Sequence, residues 1–190
     1  MSVLDVHVLG APILRQETAP VTTVTDDVRR LIDDMFETMY AARGIGLAAP
    51  QVGRPERVTV VDVARDKDPR QPIALINPEI VLQEGSRRGE EGCLSIPGVY
   101  GDVERAARVV VRAVDRDGQP FEVEGIDLLA TCLQHEIDHL HGKLFIDYLS
   151  ILKRRAALTK WDEQKSKYPA LTRVIVPVSV IADRPDPEDE

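Results

Sequence analysis

Residues 131–142 read T-C-L-Q-H-E-I-D-H-L-H-G, and the spacing inside this stretch constrains the chain more than any other feature. His135 and His139 stand four apart, with Glu136 directly after the first. On a helix, positions i and i+4 share a side, so both imidazoles can reach one metal ion. Glu136 falls about 100° round from His135, beside such an ion rather than on it. That is where a general base stands to take a proton from water.

The flanking residues fit a helix. Ile126, Leu129, Leu133, Ile137 and Leu140 form one apolar stripe. His135 and His139 lie roughly opposite, beside Leu128 and Cys132, and Asp127, Gln134, Asp138 and His141 make a narrow polar strip between. The expectation is a largely buried helix with its site on the inner side, ended by Gly142 as a left-handed cap. Taken alone, the five-residue motif also fits an amphipathic helix with two unrelated histidines. The discriminating feature is a third ligand, because a catalytic site of this kind wants three protein ligands and an open position.

Downstream, the motif is followed by His141, on another face of the same helix, and by Asp147, neither in a suitable ligand motif. Upstream, Cys93 sits in E-E-G-C-L-S-I-P, and a thiolate there would complete a Cys-His-His set. Such a set suits one divalent ion: iron(II), zinc, cobalt or nickel. The chain has two cysteines, Cys93 and Cys132. A reducing compartment favours free thiols or metal ligation over a disulfide, and Cys132 is assigned to packing.

The 190 residues suffice for one domain with a sizeable core. A net charge of −8 argues against a general nucleic-acid binder. No apolar run approaches the roughly 20 residues that span a membrane. The start, M-S-V-L-D-V-H, lacks a basic-then-apolar signal pattern, so the expected location is the cytoplasm.

Along the chain, residues 1–24 read as irregular, broken by Pro12 and Pro20. Thr25 is a helix N-cap, and Val28, Leu31, Ile32, Met35, Phe36 and Met39 follow at helical spacing, with Gly44 as the stop. Residues 44–53, G-I-G-L-A-A-P-Q-V-G, read as a tight loop whose small residues let another segment approach the backbone. Strands are expected at 58–63, at 73–76 ended by Asn77-Pro78, and at 80–83. Residues 85–91 read as polar loop, and 108–114 with 121–123 as a hairpin about Asp115–Gly118. Ser150 caps a last helix that ends before Pro169; residues 151–168 carry six Lys/Arg against two acids. Residues 171–181, interrupted by Pro177, suit an edge strand, and 183–190 a disordered acidic tail. The fold class is therefore α+β: antiparallel or mixed sheets from 58–124 enclose a central metal-bearing helix, with a helix on either side in sequence. The expected division is one catalytic domain over 1–168 and an extension over 169–190.

Three stretches together resemble the peptide deformylase family, in its order: G-I-G-L-A-A-P-Q at 44–51, E-G-C-L-S at 91–95 and Q-H-E-I-D-H at 134–139. The resemblance runs from about Val6 to about Tyr148. It implies that Cys93, His135 and His139 bind the metal, with iron(II) as the working ion and zinc giving a weaker enzyme. It implies Glu136 as general base and then acid, and Gln51 with the backbone N–H of Leu94 as the oxyanion hole. Gly46 and Gly92 would lie along the peptide backbone, and Ile45 and Leu133 would line the methionine pocket. The implied activity is removal of the formyl group from N-formylmethionyl nascent polypeptides. In some members a basic terminal helix docks on the ribosome, which makes the ribosome a candidate partner for residues 151–168. Two alternatives stand beside this reading: a His-Glu-x-x-His metallopeptidase, and a non-catalytic metal-bound, ribosome-associated module.

Overall fold

The computed structural model describes residues 2–64 and 68–176. The acidic tail at 183–190 and the second half of the expected edge strand, 177–181, lie outside the described residues.

Thr25 begins helix α1 (Asp26–Ala41), its hydroxyl accepting from the Val28 N–H at 3.4 Å. Asp26 and Asp27 occupy the first turn, where the positive end of the helix favours them. Five of the six spaced apolar residues are buried and Phe36 is half-buried. Gly44 closes the helix end through its N–H, which donates to the Met39 carbonyl at 2.8 Å, but it is not the left-handed residue. Ala42 caps the helix and Arg43 takes the left-handed turn at φ 57°.

A five-stranded antiparallel sheet has the order β2-β3-β4-β7-β8. Its strands are β2 (Gly46–Ala48), β3 (Val58–Val61), β4 (Ile73–Glu84), β7 (Arg108–Val114) and β8 (Pro120–Ile126). The segment expected as a loop after α1 thus opens with a short edge strand, followed by a 3-10 turn over Ala49–Val52. The strands expected at 73–76 and 80–83 are one strand. Asn77 adopts φ 51° there, and the register against β7 shifts between Ile76 and Glu79. The Asn77 side chain is fastened to both the N–H and the C=O of Val21, which holds the kink in place.

The hairpin β7–β8 forms as expected, although β8 is longer than 121–123. A second hairpin joins β5 (Arg87–Cys93) to β6 (Ile96–Arg105). The sequence reading had residues 85–91 as loop, because R-R-G-E-E-G-C shows no apolar alternation; of these residues only Glu91 is buried. The chain start is not wholly irregular either. β1 (Val6–His7) pairs with β9 (Thr172–Arg173), and a 3-10 turn covers Pro12–Arg15. Residues 172–173 are the part of the expected edge strand that forms within the described residues, and they pack back on the fold with Ile175 buried behind them.

Helix α2 (Leu128–Leu140) carries the His-Glu-x-x-His stretch. It starts later than the stripe implied. Ile126 ends β8 and is largely exposed, and Asp127 makes the turn at φ 52°. The helix is wedged into the molecule. Ala130, Cys132, Leu133 and Ile137 pack on Val61, Leu75, Val109 and Val111 of the sheet. α1 packs on Val58, Val60 and Ile76. Gly142 ends α2 at φ 67°, as expected. Helix α3 (Ile151–Asp162) is capped by Ser150 and packs Ala157 and Trp161 against β6 and Phe145.

Candidate metal centre and active site

Two elements meet at the centre of the molecule. α2 brings His135 and His139, and the end of β5 brings Cys93. One donor atom from each lies within 4.8 Å of the other two, and the Cys93 sulfur is 3.2 Å from Nε2 of His139. A thiolate and two imidazoles this close make a donor set for a single tetrahedral or expanded ion. The residue behind the ligands also fits. Nδ1 of His135 meets Glu91 Oε2 at 2.9 Å, which turns its other nitrogen inward. These residues therefore suit a divalent metal.

Glu91 belongs to a buried network that sequence reasoning missed. Arg105 donates to both oxygens of Glu91, at 2.7 and 3.0 Å, and also to Asp138 at 2.5 Å. Tyr148 donates to the other oxygen of Asp138 at 2.8 Å, and its ring lies under the Arg105 guanidinium. Burial opposes a charge on Glu91, but the hydrogen bonds from His135 and Arg105 outweigh it and hold the carboxyl at about 2. The sequence signal was an acid two residues before a candidate ligand cysteine; its buried arginine partner lies 14 residues further on, in another strand.

Glu136 is buried, and its Oε2 has no hydrogen-bond partner. Burial first, with the neighbouring Glu91 carboxylate adding to it, pushes its carboxyl up to about 7. The two histidines diverge. Burial opposes a proton on His135, yet the Cys93 and Glu91 groups beside it prevail and raise its pKa. Burial and the charge of His135 push His139 well down. A neutral imidazole is the form that ligates a metal.

The small residues of β2 allow Glu136 its place. A Cβ on Gly46 would stand 2.7 Å from Cγ and 2.8 Å from Cδ of Glu136. Gln51, in the 3-10 turn after β2, is buried. The Ala48 N–H donates to its Oε1 at 2.8 Å, while its Nε2 donates to Ser95 Oγ at 3.1 Å and lies 3.6 Å from the Cys93 sulfur. Its amide nitrogen is thus fixed toward the ligand cluster.

A cleft of about 570 Å³ opens onto this cluster. Ile45, Gly46, Gln51, Gly92, Leu94 and Glu136 are among its lining residues, as are Cys93 and His135. Leu133 is not. It is fully buried on the sheet side of α2, and the side chains that α2 gives the cleft besides His135 and Glu136 are Leu128, Thr131 and Cys132. An α-helix shows one face to one neighbour, and the stripe through Leu133 is the face that the sheet takes. Cys132 packs as expected; burial raises its thiol pKa well above the ordinary range.

No described helix is long and apolar enough to cross a membrane.

The family model described as polypeptide deformylase matches residues 3–155. A peptide deformylase of Alkalilimnicola ehrlichii is 58% identical over 163 residues, 86% of this chain and 91% of the relative. The crystal structure of a peptide deformylase from Legionella pneumophila superposes with a TM-score of 0.82 at 46% identity, covering 97% of this chain and all of that one. A peptide deformylase from Synechococcus elongatus, solved in complex with actinonin, gives a TM-score of 0.78 at 46% identity over 83% of this chain and 86% of that one. Matched by a family model over most of its length, and by relatives of this identity over nearly all of theirs, the chain belongs to the polypeptide deformylase family.

Proposed function

We propose that the cleft removes the N-terminal formyl group from N-formylmethionyl nascent polypeptides, releasing formate. One observation supports this most: a buried, unpartnered Glu136 carboxyl beside a Cys93–His135–His139 donor set at the floor of an open cleft. A divalent ion on those donors, which we take to be iron(II) with zinc, nickel and cobalt as fitting substitutes, would supply an acidified water and a polarised carbonyl. Glu136 removes a proton from the attacking water and later gives it to the leaving amine, since an unprotonated amide nitrogen leaves poorly. A carboxyl near 7 can hold and release a proton at neutral pH. The Gln51 amide and the Leu94 N–H donate to the developing oxyanion, at about 3 kcal/mol for such a donor. Ile45, Gly46 and Gly92 line the path of the methionyl peptide. The carbon attacked carries only hydrogen, so a narrow reacting position would admit formyl and exclude acetyl.

The test is formate release from formyl-Met-Ala-Ser by anaerobically purified protein, with acetyl-Met-Ala-Ser as control and metal content read on the same sample. Release that stops on chelation supports the reading. Cleavage of an internal peptide bond would favour a metallopeptidase, and a metal-loaded but inert protein would favour a non-catalytic module.

The same reading places the chain in the cytoplasm. It also makes the ribosome a partner through α3, whose Ile151 and Leu152 are 88% and 80% exposed beside Lys153, Arg154 and Arg155. Charge reversal at those three basic residues then weakens co-sedimentation with ribosomes, and unchanged co-sedimentation removes that partner.

A further inference from the structure

One cleft residue has no part in the chemistry above. Arg173 lines the cleft and comes from β9, beyond residues 3–155 that the family model matches. Its backbone position is fixed. Arg173 pairs with Val6, the Val8 N–H donates to the Leu171 carbonyl at 2.9 Å, and Ile175 is buried two residues on. Leu171, at φ 56°, turns the chain into this pairing.

Surface arginines in this protein commonly face a carboxylate, as Arg54, Arg57, Arg108 and Arg116 do. Among the described residues Arg173 has no such partner, although it is only half-exposed. Arg43, also in the cleft lining, has none either. The acids of the cleft do not cancel them. Arg105 takes up Glu91, and Glu136 is buried at the floor. That leaves Glu90 as the exposed acid, so two arginines and one exposed carboxylate line the cleft in a chain whose net charge is −8.

We infer that Arg173 is a specificity-determining residue that binds a carboxylate in the cleft. The planar fork of a guanidinium matches a carboxylate with two parallel N–H donors. This rests on the deformylase reading, which brings two carboxylates to the cleft: an acidic side chain downstream of the methionine, and the product formate.

The experiment compares holoenzyme with Arg173→Gln and Arg173→Lys. It measures kcat/KM on formyl-Met-Ala-Asp-amide and formyl-Met-Ala-Asn-amide at fixed ionic strength, and inhibition by sodium formate, with thermal melts alongside. The β1–β9 pairing is made by backbone, so both variants keep it. In Arg173→Gln the Asp-over-Asn ratio falls about fivefold, the size expected of a partly exposed ion pair, through KM rather than kcat. Arg173→Lys restores part of it. An unchanged ratio with formate inhibition weakened by a similar factor assigns the carboxylate to the product instead. If neither readout moves in variants that still release formate, the inference is overturned. If the wild type releases no formate from either peptide, the deformylase reading fails, and this inference fails with it.

Discussion

Oε2 of Glu91 lies 2.9 Å from Nδ1 of His135, and the same carboxylate takes two hydrogen bonds from a buried Arg105. A side chain on the hairpin therefore sets the ring orientation of a candidate metal ligand on the helix. Glu91→Gln keeps the shape and removes the charge. Metal affinity then drops about 10- to 100-fold, as for other partners of a metal-bound imidazole. Competition with a chromogenic chelator reads this directly, and wild-type affinity in the variant would mean that His135 needs no orienting partner.

Glu136→Ala separates proton transfer from metal binding. Turnover falls by at least about 100-fold, the lower end for a positioned acid–base group, while metal stoichiometry stays near one per chain. Loss of the metal in this variant would show that the carboxylate belongs to the ligand set.

Gly46→Ala tests how closely β2 may approach α2. The added methyl meets Glu136 at Cγ and Cδ, so either the strand or the carboxylate must shift. A displacement near 1 Å can cost about 100-fold in rate. The variant is expected to lose kcat with its metal retained; wild-type kcat would show that Glu136 has freedom the packing does not suggest.

At the far end of α2, Gly142→Ala strains a left-handed position and drives a methyl to 2.7 Å from the Arg15 carbonyl. Left-handed backbone alone costs an L-residue about 1–2 kcal/mol. Denaturant unfolding should show a loss at the top of that range or beyond, and a loss below 1 kcal/mol would mean that the Arg15 segment yields.

Burial, together with the 2.7 Å hydrogen bond from Tyr40 to Asp62, pushes the Tyr40 phenol up to about 12. The fold favours the protonated form. Its stabilisation is therefore fully present below the unfolded value near 10 and disappears between about 10 and 12. Tyr40→Phe removes one equivalent from the upper end of the phenolate absorbance titration and flattens the loss of stability in that window. A titration whose upper end is unchanged would refute the assignment.

The sequence shows helices best where one period runs without interruption. α1 is legible because Thr25 caps it and Val28 through Met39 keep one face. The floor of the site is legible because four-residue spacing fixes direction on a helix, whatever lies around it. β5 is invisible to the same reasoning. Its residues are exposed save the buried Glu91 and the half-buried Cys93, and its pairing is made by backbone with β6. β4 reads as two strands because Asn77-Pro78 normally ends one; here the Asn77 side chain, clasped by Val21, carries the strand through. Leu133 follows the periodicity, which put it on the stripe opposite the histidines, and not the pocket role that the resemblance implied: it packs on the sheet and is absent from the cleft lining. The Glu91–Arg105–Asp138 network spans three elements, and no local pattern announces it.

The pairing of Val6 with Arg173 also fixes an order of assembly. It closes a loop of almost the entire chain, so it forms late, after contacts of shorter separation have been made. During synthesis, α2 and β5 can meet while the partner of β1 has yet to be made. A nascent copy therefore passes through a stage with its ligand residues gathered and one side of its cleft open. Any selectivity that Arg173 supplies would be acquired after the rest of the cleft, and a break after residue 170 would return the molecule to that open-sided stage.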